Sequence, residues 1–321
     1  MASTPRAPRA PRLAVLGSLN MDISVRVERL PVPGATVLGP AASFAPGGKG
    51  ANQAVAASRL GGSVLMAGCV GADDFGRQLT AGLRAEGVDT AGVRTVPGVP
   101  SGLAMITVDA DGENIITVAQ GANHEVGDAE VASARAGARD ALIISAEVPV
   151  PAIRSALSGA GRPSALTMLN LAPAPKEAAE IVAAGADWLV VNETEAAAVL
   201  GRPVAGLADA AGAAAGLASA GARNAVVTAG AAGAAMSGED VETATVPGFE
   251  VRAVDSVGAG DTFAGALAVA LAAGVAPRDA VRAAAAAAAT AATRHGTQPG
   301  MPRPADILAA TGLTWPIPVP E

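Results

Sequence analysis

The segment DSVGAGDTFAGAL, residues 255–267, places a carboxylate, Asp261, directly after a Gly-Ala-Gly run and directly before an apolar run typical of a helix. One interpretation is structural, because an aspartate that precedes a helix caps its first free amides. The glycines favour a second one, since residues without side chains let backbone N–H groups approach a ligand closely and a helix N-terminus attracts an anion. The segment therefore predicts an anion cradle, with a carboxylate at its rim that can take a proton from a hydroxyl attacking a phosphoryl group.

Short apolar runs alternate with helix-like runs along much of the chain. The strand-like runs include LAVLG, ALIISAE, ALTMLNL, DWLVVN and NAVVTAG. Strands that alternate with helices form a parallel sheet covered on both faces. We therefore expect an α/β fold, with helices near 150–159, 176–184 and 207–220, from 193, and at 261–273 and 277–294.

Polar residues follow several of these strands. Ligands of an open α/β sheet bind at the carboxyl ends of its strands. Each such residue alone also fits a turn or an ordinary loop, but their joint placement at one edge predicts a ligand site. They are Asn20 and Asp22 after the first strand, Glu147, Asn192, Glu195 and Gly230 after later strands, and Asp255 and Asp261 in the late glycine loop.

A second, smaller sheet is indicated by other runs. DISVRVERL alternates apolar and polar residues, ATVLGPAASFA resembles it, and GLAMITVDADGENIITVAQG carries an Asp-Gly hairpin signal at residues 111–112. We expect these runs, at about 22–45 and 101–119, to form an accessory sheet. GAAMSG and ETATVPGFEVRAVD predict late antiparallel strands.

Composition limits the class of protein. The chain has 321 residues and a formal net charge of −7, which argues against a nucleic-acid partner, since such proteins usually carry a basic face. Its one cysteine, Cys69, excludes an intramolecular disulfide, and no apolar run is long enough to span a membrane. We expect a cytoplasmic protein with a disordered tail at 1–11, one domain at 12–315 and a C-terminal tail at 316–321.

GGKGANQA, residues 47–54, is a second glycine cluster. It lacks the P-loop pattern, and no dinucleotide fingerprint follows the first strand. A lysine is most often an exposed charge. Between glycines, however, Lys49 and Asn52 can donate hydrogen bonds to the hydroxyls of a ligand that approaches closely.

GGKGANQA and DSVGAGDTFAGAL together closely resemble the two signatures of the ribokinase-like sugar kinases, also called the phosphofructokinase-B type. The resemblance runs from about residue 12 to 310 and includes GSLNMD, DGENIITVAQGAN, NETEA, VTAGAAG and TRHGTQP. It implies a three-layer α/β sandwich with a mostly parallel central sheet. It also implies that the accessory sheet is a lid over the sugar and forms the contact of a homodimer.

The resemblance also implies a role for each matching residue. Asp261 is the expected base, and the amides of Gly258, Ala259 and Gly260 are the expected anion hole. The expected sugar ligands are Asn20, Asp22, Gly48, Lys49, Asn52 and Glu147, beside Asp261. The expected nucleotide ligands are Asn192, Thr228, Gly230, Gly233 and Gly260.

Two metal ions are implied in the same way. Glu195, in the element N-x-x-E, is expected to hold Mg²⁺ through water. A monovalent cation, K⁺, is expected beside the anion hole, held mostly by backbone at Asp255, Val257, Ala291, Arg294, Gly296 and Gly300. The chain departs from the family at Ala231 and Gly300, where a serine is often found, and its alanine-rich helix at 282–292 offers the adenine no polar group.

The expected activity is ATP-dependent phosphorylation of D-ribose at its 5-hydroxyl, which yields ribose 5-phosphate and ADP. A kinase for another pentose or a nucleoside, such as deoxyribose or pseudouridine, is the alternative within the same class. A non-catalytic sugar sensor is an alternative from another class, although a sensor has no need of Asp261. A dinucleotide-dependent dehydrogenase is disfavoured by the missing fingerprint.

Overall fold

The computed structural model describes residues 9–158 and 165–319. Within them, nine strands form one sheet and four form a second. The strands are β1 (Arg12–Leu16), β2 (Asn20–Arg26), β3 (Ala42–Gly47), β4 (Ser63–Gly71), β5 (Asp89–Val96), β6 (Gly102–Val108), β7 (Asn114–Ala119), β8 (Ala141–Ser145), β9 (Leu166–Asn170), β10 (Trp188–Asn192), β11 (Asn224–Thr228), β12 (Gly233–Gly238) and β13 (Ala244–Pro247). The helices are α1 (Lys49–Arg59), α2 (Asp74–Ala85), α3 (Asp128–Gly137), α4 (Val150–Leu157), α5 (Ala178–Ala183), α6 (Glu193–Leu200), α7 (Gly206–Ser219), α8 (Ala259–Ala272), α9 (Pro277–Ala291), α10 (Thr297–Gly300) and α11 (Pro304–Thr311).

The large sheet has the strand order β13-β12-β11-β10-β9-β8-β1-β4-β5. The strands from β11 to β5 pair in parallel, and β12 and β13 add an antiparallel edge. The predicted mostly parallel α/β sheet is confirmed. Chain order reverses between β1 and β8, which is the switch point where open α/β sheets bind their ligands.

The core lies on both faces of this sheet. In β1, Leu13 and Val15 belong to one apolar cluster, while Ala14 and Leu16 belong to the other. Successive strand residues point to opposite faces, so a strand that is buried on both sides must be apolar throughout. The two clusters and the sheet between them form the expected three layers.

The four-stranded sheet, here called the lid, has the order β3-β2-β6-β7. Its strands cover residues 20–47 and 102–119, close to the predicted segments. The strand predicted over 35–45 is shorter than expected and starts at Ala42. Pro40 has no N–H for a ladder, so the pairing with β2 begins only beyond it.

The N-terminal boundary also differs from its prediction. Residues 1–8 lie outside the described chain, but Arg9, placed in the predicted tail, forms an ion pair with Asp140. The carbonyl of Pro11 accepts a hydrogen bond from the amide of Ser63 at 2.9 Å. Residues 9–11 therefore contact the domain.

The C-terminal boundary needs the same correction. Ile317 is buried, and the indole of Trp315 donates to the carbonyl of Leu60 at 3.0 Å. Residues 316–319, predicted as a tail, thus pack on the core beneath α1, because an apolar side chain is more stable there than in water. Residues 320–321 lie outside the described chain.

Three further differences concern local structure. The predicted late strand pairs only over β13, which ends at Pro247. No element was predicted at β5, whose buried residues are interspersed with polar ones, or at α3, which has few apolar residues. Among the described residues, no helix combines the length and apolar character needed to cross a bilayer.

Candidate active site

Asp261 lies in the first turn of α8. The helix begins at Ala259, and Gly258 is its N-cap with φ of 81°. Asp261 is therefore the third residue of the helix and not its cap, so the capping interpretation is wrong. A Cβ on Gly258 would lie 2.6 Å from the Cγ2 of Thr297, which explains a glycine there in two ways, by backbone conformation and by space.

The carboxylate of Asp261 is buried and held by two amides of α1. Asn52 donates from Nδ2 to Oδ2 of Asp261 at 2.9 Å, and Gln53 donates from Nε2 to Oδ1 at 3.0 Å. The Oδ1 of Asn52 accepts from Nε2 of Gln298 at 3.1 Å. Both polar atoms of Asn52 thus contact protein, and its direct contact with a sugar stays a prediction.

Lys49 is the first residue of α1 and faces several carboxylates. The nearby charge of Asp261 contributes most to raising the pKa of Lys49, Glu147 adds to it, and burial opposes it. Its ammonium group therefore stays charged at neutral pH and offsets the carboxylates around it. Gly48, the N-cap, packs so tightly on the β1–β2 loop that an added Cβ would lie 2.6 Å from the amide of Asn20.

Glu147 and Ser18 meet where the sheet changes direction. Ser18 follows β1, Glu147 follows β8, and the Ser18 hydroxyl donates to Oε2 of Glu147 at 2.6 Å. The backbone amide of Lys49 also donates to that oxygen, at 3.3 Å. Glu147 is thus fixed at the switch point, where its remaining lone pairs can accept from ligand hydroxyls.

Asn20 is oriented by a residue to which no role was assigned. Nδ2 of Asn123 donates to Oδ1 of Asn20 at 2.7 Å and to the carbonyl of Leu19 at 3.1 Å. Oδ1 of Asn123 accepts from the amide of Leu19 at 2.9 Å. This contact determines which way the Asn20 side-chain amide is turned, so that its Nδ2 hydrogens are available to a ligand.

Asp22 lies on the face of the lid that also carries Asn20. Burial contributes most to raising the pKa of Asp22 to about 7, the nearby charges of Glu147 and Asp261 add to this increase, and the charge of Lys49 opposes it. A Cβ on Gly47, which lies on the adjacent strand β3 and pairs with Asn20, would come within 2.2 Å of the Asp22 carboxylate. Gly47 therefore leaves the space that this carboxylate occupies.

Two cavities adjoin these residues. One, of about 580 Å³, lies under the lid between Asn20, Glu147 and Val118. The other, of about 220 Å³, runs from Lys49 and Asp261 towards the ends of β10 and β11. Asp261 and Lys49 line the second cavity. Glu147 lines the first cavity and accepts a hydrogen bond from the Lys49 amide, so one hydrogen bond joins the walls of the two cavities.

The element N-x-x-E forms a reciprocal cap on α6. Oδ1 of Asn192 accepts from the amide of Glu195 at 2.8 Å, and Oε2 of Glu195 accepts from the amide of Asn192 at 2.8 Å. Both side chains line the 220 Å³ cavity, and burial raises the pKa of Glu195. A capping box satisfies helix amides, so this pair has a structural role besides any role towards a metal.

The expected nucleotide and anion-hole residues lie around the same cavity. Thr228 and Gly260 line it, and Gly230 and Gly233 follow in the turn beyond β11. A Cβ on Gly260 would meet nothing within 4 Å, so there is open space beside its Cα. The amide of Ala259 donates to the carbonyl of Ser256 at 3.2 Å.

The expected cation loop is also assembled. One carboxylate oxygen of Asp255 accepts from the amide of Val257 and the other from the amide of Gly296, both at 3.0 Å. A Cβ on Gly300 would lie 3.4 Å from the Ala291 carbonyl oxygen and 3.5 Å from that of Arg294. Converging backbone carbonyls are the donors that suit K⁺. The Arg294 side chain instead pairs with Asp306.

Side-chain clusters give no further metal site. In residues 9–158 and 165–319, no group of three or more His, Cys, Asp or Glu side chains is arranged to hold a metal ion. Among the described residues that line this cavity, only Glu195 and Asp261 are carboxylates, which fits a Mg²⁺ held mainly by phosphate oxygens and water.

The sequence analysis assigned no role to several residues of the site. Each lies within or beside a motif that was recognised, but nothing in the motif shows which way its side chain points. They are Ser18 in GSLNMD, Gln53 in GGKGANQA, Asn123 in DGENIITVAQGAN, Asn170 in ALTMLNL and Gln298 in TRHGTQP.

A family model described as pfkB family carbohydrate kinase matches residues 10–304. Among characterised proteins, the chain is 38% identical over 267 residues to ribokinase of Schizosaccharomyces pombe, covering 80% of this chain and 84% of that protein. It is 36% identical over 258 residues to deoxyribokinase of Salmonella typhimurium, with coverage of 80% and 84%.

Solved structures resemble it over almost its full length. A ribokinase of Thermotoga maritima superposes with a TM-score of 0.82 at 32% identity, covering 93% of this chain and 98% of that one. An Arabidopsis thaliana ribokinase, solved with ribose and ATP, gives a TM-score of 0.82 at 29% identity, with coverage of 94% and 98%.

Proposed function

The chain belongs to the pfkB family of carbohydrate kinases, and on that premise we propose that it transfers the γ-phosphoryl group of ATP to the 5-hydroxyl of D-ribose. One observation carries the proposal: Asp261, which accepts from two side-chain amides at the start of α8, lines the cavity at β10 and β11 together with Lys49, whose backbone amide donates to Glu147 in the wall of the lid cavity. A phosphoryl transferase needs a base between its acceptor and its donor.

Asp261 acts as the general base. Its two carboxylate oxygens accept one hydrogen bond each from Asn52 and Gln53, which leaves lone pairs free to receive the proton of the 5-hydroxyl. The backbone amides of Gly258, Ala259 and Gly260 stabilise the charge that develops on the transferred group. For Ala259 this requires the bond to Ser256 to open or to be shared.

Lys49 and the acidic residues divide the binding of the substrates. Asn20 donates to the sugar, while Asp22 and Glu147 accept from its hydroxyls. Lys49 stands between these groups and Asp261 with its charge retained, so it also attracts the anionic phosphate chain. Asn192, Thr228, Gly230 and Gly233 surround the nucleotide.

Two ions complete the site. Glu195 would hold Mg²⁺ through water, and the loop of Asp255, Val257, Ala291, Arg294, Gly296 and Gly300 would hold K⁺, mostly through its backbone. When bound, they supply positive charge that offsets the phosphates and the developing transition state. The chain's own part is to fix that loop, which Asp255 does by joining two of its amides.

A coupled assay of ADP release tests this function directly. Wild-type protein with ATP, Mg²⁺ and K⁺ is offered ribose, 2-deoxyribose, fructose, adenosine and pseudouridine, beside Asp261→Asn. We expect turnover of ribose that is lost in the variant. Because a deoxyribokinase is as similar to the chain as several ribokinases are, turnover of 2-deoxyribose alone would keep the mechanism and change the substrate. Tight sugar binding without any turnover would identify a sensor instead.

The lid offers a surface for a second copy. Phe44, Met105 and Ile115 share the lid face opposite to Asp22, and each is about half exposed. Exposed apolar patches of this kind mark interaction sites, so we assign this face to a homodimer. In analytical ultracentrifugation, we expect the wild-type protein to sediment as a dimer and Met105→Asp to sediment as a monomer.

Because ATP is a substrate, we also assign the protein to the cytoplasm.

A further inference from the structure

Gln53 contacts the expected base but has no assigned role. Its Nε2 donates to Oδ1 of Asp261 at 3.0 Å, on the opposite carboxylate oxygen from Asn52. We propose that Gln53 is a positioning residue, which fixes the rotation of the Asp261 carboxylate so that its free lone pairs face the acceptor hydroxyl. The proposal rests on the function proposed above, since it requires Asp261 to be the base.

The orientation of Gln53 is itself determined by a hydrogen-bond chain. Its Nε2 also donates to Oδ1 of Asn170 at 3.0 Å, and Nδ2 of Asn170 points to the carbonyl of Val190 at 3.4 Å. A primary amide has two N–H hydrogens, so both are used. Turning the amide over would set its oxygen against two acceptors, Asp261 and Asn170. This series of hydrogen bonds therefore connects Asp261 to β9 and β10 of the large sheet.

The other end of the Gln53 amide shows that stability alone does not explain this residue. Its side chain is fully buried, and among the described residues no donor lies within hydrogen-bond distance of its Oε1. A buried acceptor without a partner is unfavourable for folding. A glutamine is useful here for its N–H groups, and these are directed at Asp261 and Asn170.

The position of Gln53 separates its effect on the reaction from any effect on binding. It lines neither of the two cavities. Replacing it with methionine, which has a similar length and no donor, frees one side of the Asp261 carboxylate without touching a substrate. We expect Gln53→Met to lower kcat about tenfold or more, which is the range for a misplaced catalytic group, while the Kd values of ribose and MgATP change less than about twofold.

A double-mutant cycle distinguishes positioning from general damage. Gln53→Met is compared in the wild-type chain and in the Asp261→Asn chain, with kcat measured for ribose and thermal unfolding measured in parallel. If Gln53 acts through Asp261, its replacement has little further effect once the base is gone, because coupled residues are not additive. An equal fold loss in both backgrounds, or an unchanged kcat in the single variant, would overturn the proposal.

Two further variants keep the test decisive if Gln53→Met folds poorly. Asn170→Ala removes the hydrogen bonds that connect Gln53 to β9 and β10. It should lower kcat in the wild-type background but not in the Asp261→Asn background. Ser237→Ala removes a buried hydrogen bond to Thr243 far from the site and should leave kcat unchanged. Wild-type turnover in the same assay reports on the proposed function separately, because inactive wild-type protein would refute that function before any variant is compared.

Discussion

The side-chain amide of Asn123 donates to the side-chain oxygen of Asn20 at 2.7 Å, across 103 residues of sequence. Asn123 lies in a short 3-10 turn after the last strand of the lid, whereas Asn20 begins the first. The orientation of Asn20, a proposed sugar ligand, thus depends on a residue outside the expected set of sugar ligands.

Replacing Asn123 should therefore weaken sugar binding. Without its N–H, the amide of Asn20 can turn over and present its oxygen, so Asn123→Ala should raise the KM for ribose about fivefold to tenfold, the equivalent of one hydrogen bond. The KM for ATP should not change. Steady-state kinetics with each substrate varied in turn measures this, with Glu125→Ala as the control, since Glu125 lies in the same turn and lines neither cavity. Equal increases in both KM values would contradict the orienting role.

Removal of the base should act on kcat. Asp261→Asn keeps the size of the side chain and loses the proton acceptor, so kcat should fall by at least about 10². Binding of ribose and of MgATP, measured by calorimetry, should persist. An asparagine can still meet Asn52 and Gln53 only by turning one of its own N–H groups towards a donor, so some loss of stability is expected as well. A kcat close to that of the wild type would remove Asp261 from the mechanism.

The large sheet and the lid were predictable from apolar runs that alternate with helical segments and from turn signals, because glycine and proline limit the backbone in ways that are legible in sequence. The role of Asp261 as the base stays a prediction. The partners of Asp261 were not predictable. Gln53 and Gln298 are 208 and 246 residues, respectively, from the residues that they contact, Asp261 and Asn52. Such contacts depend on how α1, α8 and α10 pack, and periodicity records only which face of a helix is apolar.

The element at Asn192 illustrates a different limit. Its pattern predicted a metal-related pair, and in the structure the same two side chains also cap α6. Both uses need an oxygen at the same spacing, so the sequence alone cannot separate them.

Asp22 should make stability depend on pH. Its pKa is raised to about 7 in the folded chain, whereas in an unfolded chain it is near 3.9. The folded state thus binds the proton more tightly, so this stabilisation is complete below pH 4 and is lost as the pH rises through 7. Its size is on the order of 1–4 kcal/mol, since Asp22 is only partly buried.

The measurement is thermal unfolding of the ligand-free protein between pH 5 and 8. The unfolding temperature should fall with rising pH more steeply in the wild type than in Asp22→Asn, which carries no titrating group there. Parallel curves for the two proteins would show that Asp22 is already ionised at pH 5.

Gly47 should be required for sugar binding, because a side chain there would occupy the space of the Asp22 carboxylate. A Cβ there would lie 2.2 Å from Oδ2 of Asp22, closer than atoms can approach, so Gly47→Ala must displace the carboxylate. The KM for ribose should rise about tenfold or more, a change of ~1.4 kcal/mol. Gly82→Ala is the matched control, since its Cβ would meet only Pro46, at 3.8 Å. If both alanines have the same KM, Asp22 does not contact the sugar.

Gly300 should tune the response to a monovalent cation. A Cβ at this position lies beside the carbonyl oxygens of Ala291 and Arg294 at ordinary contact distances of 3.4 and 3.5 Å, so a serine fits and adds an oxygen ligand for K⁺. Gly300→Ser should lower the K⁺ concentration for half-maximal activity by a few-fold, on the order of one added weak ligand. Gly300→Ala carries the same Cβ without the oxygen and should leave that concentration at the wild-type value. The assay titrates K⁺ into enzyme prepared in tetramethylammonium, and activity that is independent of K⁺ in all three proteins would show that this loop holds no activating cation.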